Sequence, residues 1–200
     1  IVDPIGGTRK NVPMDNIAKH TSKAVYSYGK GPVSAAVPDG GGSASNDAEE
    51  KKRSIESGQQ AVVNQMLWLK DNPIKYSLSG AQDPDKGSAS CASTVGWAYR
   101  KAFGLSGMSA SSTEQSKNDN FETIWTNDGS GLDTSILKPG DVLYMNWGQT
   151  KNTGAMKHTE MYAGNNKDLS HGGPGAGPGY KDLNDYRRKH TMMVRRYKPL

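Results

Sequence analysis

The chain uses cysteine once in 200 residues, at Cys91 within SASCASTVGWAYRKAFG, and histidine four times. A thiol reacts as its thiolate, which near neutral pH needs an imidazole partner or a positive local field. Cys91 follows small residues and opens an apolar-periodic run. That is the place of a first helical turn, where the positive end of the helix dipole favours the anion. Two of the histidines, His158 and His171, stand in stretches of strand character, HTEMYAG and KDLSHGG. A thiol hydrolase needs a nucleophile, an imidazole base and a polar group that steadies the imidazole. Adjacent antiparallel strands lie ~4.8 Å apart, so histidines at paired positions can hydrogen-bond each other. In that scheme His158 is the base and His171 its orienter. A lone helix cysteine is more often an inert packed thiol, so the three residues decide nothing without their surroundings.

The elements that would position them follow from periodicity. Ile55, Val62, Met66 and Leu69 recur at intervals of seven, four and three, which predicts an amphipathic helix over 48–70, stopped by Pro73 and weakened in its middle by Gly58. Ala92, Val95, Tyr99 and Ala102 trace one face of a second helix that starts at Cys91 and ends at Gly104. Ser111 and Glu114 have capping-box spacing and predict a short helix in 112–122. LKPGDVLYMNW is a Pro-Gly turn feeding a strand over 141–147; HTEMYAG, KDLSHGG and TMMVRRY read as three further strands. Seven of the nine residues in 171–179 are Gly or Pro, which predicts a loop able to pass close to a ligand. Helices followed by an antiparallel meander make an α+β pattern.

Ahead of this lies a different composition. Ten of the seventeen residues in 29–45 are Gly, Pro or Ser, so 1–46 reads as an extended arm or linker and 47–200 as the folded domain. With 34% hydrophobic residues and a mean hydropathy of -0.76, the chain has a modest core and no run of ~18 apolar residues for a membrane span. No signal peptide is present and the first residue is not Met, so a processed product or a piece of a longer polypeptide is expected. A net charge of +5 suits anionic partners, cell-wall polymers among them.

Six blocks in order, from YSLSG through SCASTVGWAYRKAFG, SSTEQ, LKPGDVLYM and HTEMYAG to LSHGG, resemble the NlpC/P60 family of papain-like cell-wall cysteine peptidases. The resemblance spans about residues 74–197. It implies a papain-like α+β fold, with N-terminal helices packed on a central antiparallel sheet. It puts Cys91 at the nucleophile, His158 at the base and His171 at the third catalytic position. Tyr76 takes the place of a tyrosine whose hydroxyl helps stabilise the oxyanion. Gln115 matches a polar residue between nucleophile and sheet and is expected at the substrate, with Trp97 and Trp147 as aromatic lining. The implied reaction is hydrolysis of an amide bond in bacterial peptidoglycan, with no cofactor and no metal. The related CHAP amidases share the same Cys–His logic.

The chain departs from the family pattern in places. Ser90 stands for the usual Asp, Ala92-Ser93 for Ser-Gly, and Thr159-Glu160 for Val-Gly, and a polar loop at 148–157 precedes His158. These changes bear on specificity, because flanking residues shape the cleft.

Other classes are weaker. Cys91, His158 and His171 lack the short spacing of a zinc module. The basic stretch DYRRKHTMMVRRY reads as a solvated face rather than a nucleic-acid site. HGGPGAGPGYK lacks the Lys-Ser/Thr ending of a phosphate loop. Two alternatives stay open: a non-catalytic wall-binding or virion module on the same fold, and a thioester acyltransferase. The expected location is the cell wall or a virion, as a phage tail-associated lysin or endolysin whose N-terminal arm binds a tail protein.

Overall fold

The structure, a computed structural model, describes residues 44–173 and 176–198. The arm expected at 1–46 therefore lies outside the described residues, apart from its last three, which open the first helix.

Helix α1 (Ala44–Asp71) buries Val62, Val63, Met66 and Leu69, the face set by the apolar spacing. Asn72 closes it through its backbone and side-chain amides, both donated to the Trp68 carbonyl at 2.9 Å. Gly58 has a packing reason: a Cβ there would lie 2.2 Å from Phe103 Cε1, so the missing side chain lets the Phe103 ring approach the α1 backbone. Strands β1 (Lys75–Tyr76) and β2 (Ser88–Ala89) form a short parallel pair, and α2 (Cys91–Phe103) follows β2 directly. Gly104 ends α2 in the left-handed conformation, with φ 68°.

The helix expected in 112–122 is cut short. Helix α3 covers only Ser112–Gln115, and β3 (Phe121–Thr126) begins six residues later. Asn118 turns the chain between them, its side chain accepting from the Asn120 amide at 2.9 Å, a local bond that competes with helix.

Strands β4 (Val142–Met145), β5 (His158–Gly164), β6 (Lys167–Gly173), β7 (Ala176–Asp182) and β8 (Thr191–Tyr197) complete an antiparallel sheet of order β3-β8-β4-β5-β6-β7. The loop expected at 171–179 is instead a hairpin, with His171 opposite Pro178 and Ser170 opposite Gly179. Pro178 is tolerated because β7 is an edge strand, where a missing N–H breaks no ladder. Gly177 lets that edge close on the segment after α1, since a Cβ there would meet Pro73 Cβ at 2.7 Å. Helix α4 (Asp185–His190), capped by Asn184, joins β7 to β8.

Both sheet faces are covered. Val142, Tyr144, Met161, Leu169 and Met192 pack with α1 and α2, whereas Leu143, Met145, Tyr162 and Val194 pack with Leu132 and Leu183 on the opposite face. The basic run at 185–197 is bracing rather than a solvated face. Arg195 donates to the carbonyls of Ser116, Asn118 and Phe121, and Arg196 pairs with buried Asp141 at 2.7 Å. No helix among the described residues is long and apolar enough to cross a membrane.

Candidate active site

Cys91 is the first residue of a 13-residue helix held at its N-terminus by a reciprocal cap. Ser90 Oγ accepts from the Ser93 amide at 3.3 Å, and Ser93 Oγ accepts from the Ser90 amide at 2.8 Å. The Gln82 side chain also accepts from the Ser90 amide and the Ser93 hydroxyl. The sulfur therefore starts from a fixed backbone at the positive end of the dipole.

Three elements bring polar groups to it. From β5, the His158 side chain and the Thr159 amide hydrogen-bond the sulfur. From α3, Ser112 Oγ lies 3.8 Å from Cys91 Sγ and accepts from Thr159 Oγ1 at 2.8 Å. From β1, the Tyr76 hydroxyl donates to the sulfur; the pairing of Tyr76 with Ala89, two residues before Cys91, puts it there. Burial pushes the Cys91 thiol up, but the hydrogen bond and charge of His158, the Thr159 amide and the Ser112 hydroxyl outweigh it, so the thiol falls below its usual 9.0. Burial, and then the Cys91 anion and the hydrogen bond to it, raise the Tyr76 hydroxyl, which keeps its proton to donate.

The register does not set His171 opposite His158 as the strand scheme expects. On β5, His158 and Glu160 stand opposite Met145 and Leu143 of the second core, while Thr159 and Met161 stand opposite Tyr144 and Val142 of the helix-covered core. Leu169 pairs with Met161, so His171, two residues on, shares the helix-covered face. Its ring meets Tyr76 edge-on at 5.1 Å. At Nε2 of His158 stands Glu160, its Oε1 3.1 Å away. That leaves Nδ1 as the nitrogen available to the sulfur.

The expected substrate-binding residues divide. Gln115 is buried and braces the scaffold: its Nε2 donates to the carbonyls of Ala92 at 2.8 Å and Ser109 at 3.0 Å. Trp97 is also buried, stacked on Trp68 with centroids 6.2 Å apart. Trp97 lines a cavity of about 170 Å³ with Gln82, Ser93, Arg100 and Met108. Trp147 does lie at the site, 5.7 Å from the His158 ring, and Tyr186 of α4 stacks on it at 5.7 Å with 9° between planes. A cavity of about 410 Å³ lined by Lys51, Ile55, Lys138 and Arg196 includes none of the expected site residues. Among the described residues, no three His, Cys, Asp or Glu side chains are grouped to hold a metal ion.

No protein-family model matches the chain, and no curated protein matches it. Among solved structures, NlpC2 from Trichomonas vaginalis aligns over 70% of this chain and 47% of its own length, at 20% identity and a TM-score of 0.50. The chain has the NlpC/P60 fold. The chain thus spans about half the length of NlpC2. Two other NlpC/P60 domains align as well. That of the peptidoglycan hydrolase SagA covers 68% of this chain and 96% of its own, at 14% identity and a TM-score of 0.48. RipD from Mycobacterium tuberculosis, a non-catalytic NlpC/p60 domain protein, covers 70% and 96%, at 16% identity and 0.48.

Within the NlpC/P60 fold, Ser112 and Glu160 are residues that sequence reasoning missed. Ser112 had a signal, as the residue after the Ser111 cap. Glu160 had one too, as a carboxylate where the family pattern has Gly.

Proposed function

We propose that the chain is a peptidoglycan hydrolase that cleaves an amide bond of the wall peptide through a Cys91 thiolate. The observation that carries this reading is the hydrogen bond between His158 and a Cys91 thiol whose ionisation is favoured. The thiolate attacks the carbonyl carbon, and the Tyr76 hydroxyl and Thr159 amide stand ready to donate to negative charge. His158 passes its proton to the leaving amine as the C–N bond breaks, giving a thioester. Water then attacks the thioester, His158 takes its proton, and the Cys91 thiolate departs. The wall substrate rests on the family resemblance, and the net charge of +5 suits anionic wall polymers. Action outside the cell membrane, as a phage tail-associated lysin or endolysin, belongs to the same proposal.

The test is clearing of purified cell walls, with the released fragments identified by mass spectrometry. Wild-type protein should expose new amines or carboxylates, and Cys91→Ala should release none while keeping its circular dichroism. Wall binding without release by the wild type would establish the non-catalytic module instead. Transfer of the acyl group to an added amine would establish the acyltransferase.

A further inference from the structure

The strand segment HTEMY carries a glutamate at its third residue, and that side chain is fully buried. A buried carboxylate is costly unless it is paired. Glu160 Oε1 meets His158 Nε2 at 3.1 Å and also accepts from Arg187 Nη2 of α4. Arg187 in turn donates through Nε to Asp168 Oδ2 at 2.7 Å, and Asp168 is also buried. Four charged or chargeable side chains from β5, α4 and β6 thus form one line ending on the imidazole. Cys91 and the ring of Trp147 meet His158 as well.

We infer that Glu160 is a positioning residue of the His158 imidazole, and that Arg187 and Asp168 hold Glu160 in turn. The inference rests on the proposed thiol chemistry. Its physical content is local. Residues two apart on a strand point the same way, so Glu160 can reach the ring of its own strand neighbour without any help from β6. The Glu160 carboxylate at Nε2 favours the tautomer with its proton there, which leaves Nδ1 bare toward the sulfur. When Cys91 gives its proton to Nδ1, the imidazolium finds an anion already placed at Nε2. The Arg187 fork keeps the carboxylate ionised and aimed between turnovers. Arg187 is itself fixed by Trp147, its guanidinium 5.7 Å from the ring centroid, so the aromatic wall and the carboxylate line share one support.

The test reads the thiol without any wall substrate. Iodoacetamide alkylation of Cys91 is followed against pH in wild type and Glu160→Gln, with circular dichroism to check folding. Glu160→Gln keeps a neutral acceptor but loses the anion. It should slow alkylation about tenfold at neutral pH and move the profile to higher pH. A profile that Glu160→Gln leaves in place overturns the assignment. A Glu160→Gln protein that does not fold leaves the question to nitrogen NMR of labelled histidine in Cys91→Ala. There, neutral His158 should carry its proton on Nε2, and a proton on Nδ1 overturns the inference. A moved alkylation profile together with no wall cleavage by the wild type would sink the proposed function and leave the positioning role standing.

Discussion

Ser112 Oγ stands between two neighbours, accepting from Thr159 Oγ1 at 2.8 Å and lying 3.8 Å from Cys91 Sγ. Because its acceptor side is taken by Thr159, its own proton is free to point at the sulfur. Thr159, Ser112 and Cys91 therefore form a donor chain that favours the thiolate. Ser112→Ala should raise the Cys91 thiol and slow its alkylation at neutral pH about threefold to tenfold, the worth of one ordinary hydrogen bond. Thr159→Val removes only the outer link and should have a smaller effect. Equal alkylation rates in Ser112→Ala and wild type would show that the hydroxyl does not serve the sulfur.

The lowered Cys91 thiol makes a stability prediction with a definite sign. The folded protein holds the thiolate more readily than the unfolded chain, so the unfolded state binds more protons between the two ionisations. The stabilisation is fully present above the usual value of 9.0. It is lost as pH falls through the lower folded one. Urea melts of wild type and Cys91→Ser across that range should diverge at alkaline pH and converge at the acid end. Parallel curves would mean that the thiol is not depressed in the folded state.

Much of this site was legible because strands β5, β6 and β8 are bounded by turn residues and follow their sequence patterns closely. Helix α2 was legible for a similar reason, with Gly104 closing a regular apolar face. The placement of His171 was not, and the reason is parity. His158 and His171 each sit on a readable strand, but the pairing of Met161 with Leu169 sends an even and an odd residue to opposite faces. Spacing within each strand cannot reveal that register. Glu160 was equally hidden, because its stabilising partner Arg187 lies 27 residues away on a helix with no apolar periodicity. Strand β7 was missed because its glycines and Pro178 describe a sheet edge packed against Pro73, a tertiary circumstance that composition reads as a loop.

Gln115 offers a test of scaffold against cleft. Its amide ties the first turn of α2, at Ala92, to the Ser109 segment, and the Tyr144 hydroxyl donates to its Oε1 at 3.5 Å. Gln115→Ala leaves two buried carbonyls without that donor and opens a small cavity, so it should cost about 2–4 kcal/mol of folding stability. Any loss of activity should follow the fraction unfolded, with KM unchanged. A raised KM at unchanged stability would return Gln115 to the substrate.

Gly58→Ala sets helix propensity against packing. In an exposed helix interior the change stabilises by about 1 kcal/mol. Here the new methyl would fall 2.2 Å from Phe103 Cε1 and 2.4 Å from Cζ. The ring cannot swing freely, since it is packed against Tyr99 and Tyr197, with centroids 6.1 Å and 4.4 Å away. Overpacking of this kind costs about 1–3 kcal/mol, so Gly58→Ala should lower the melting temperature rather than raise it. A raised melting temperature would show that the Phe103 ring yields.

Trp147 and Tyr186 set the last expectation, which concerns the substrate. The two rings are nearly parallel, Trp147 lies beside the His158 imidazole, and Tyr186 is 57% exposed. An exposed aromatic face next to the base gives a flat apolar surface on which a sugar ring or an aliphatic part of the wall peptide can lie. Tyr186 contacts Trp147 and His190 but is not part of the Cys91–His158–Glu160 line, so its removal separates binding from chemistry. Tyr186→Ala should raise KM on cell walls several-fold, at a cost of about 1 kcal/mol in binding. Alkylation of Cys91 should keep its wild-type rate and pH profile. Trp147→Ala should do more, raising KM and also slowing alkylation, because it removes a neighbour of both His158 and Arg187. If Tyr186→Ala leaves KM unchanged on intact walls, the wall of rings serves to pack α4 against the sheet and has no part in holding substrate.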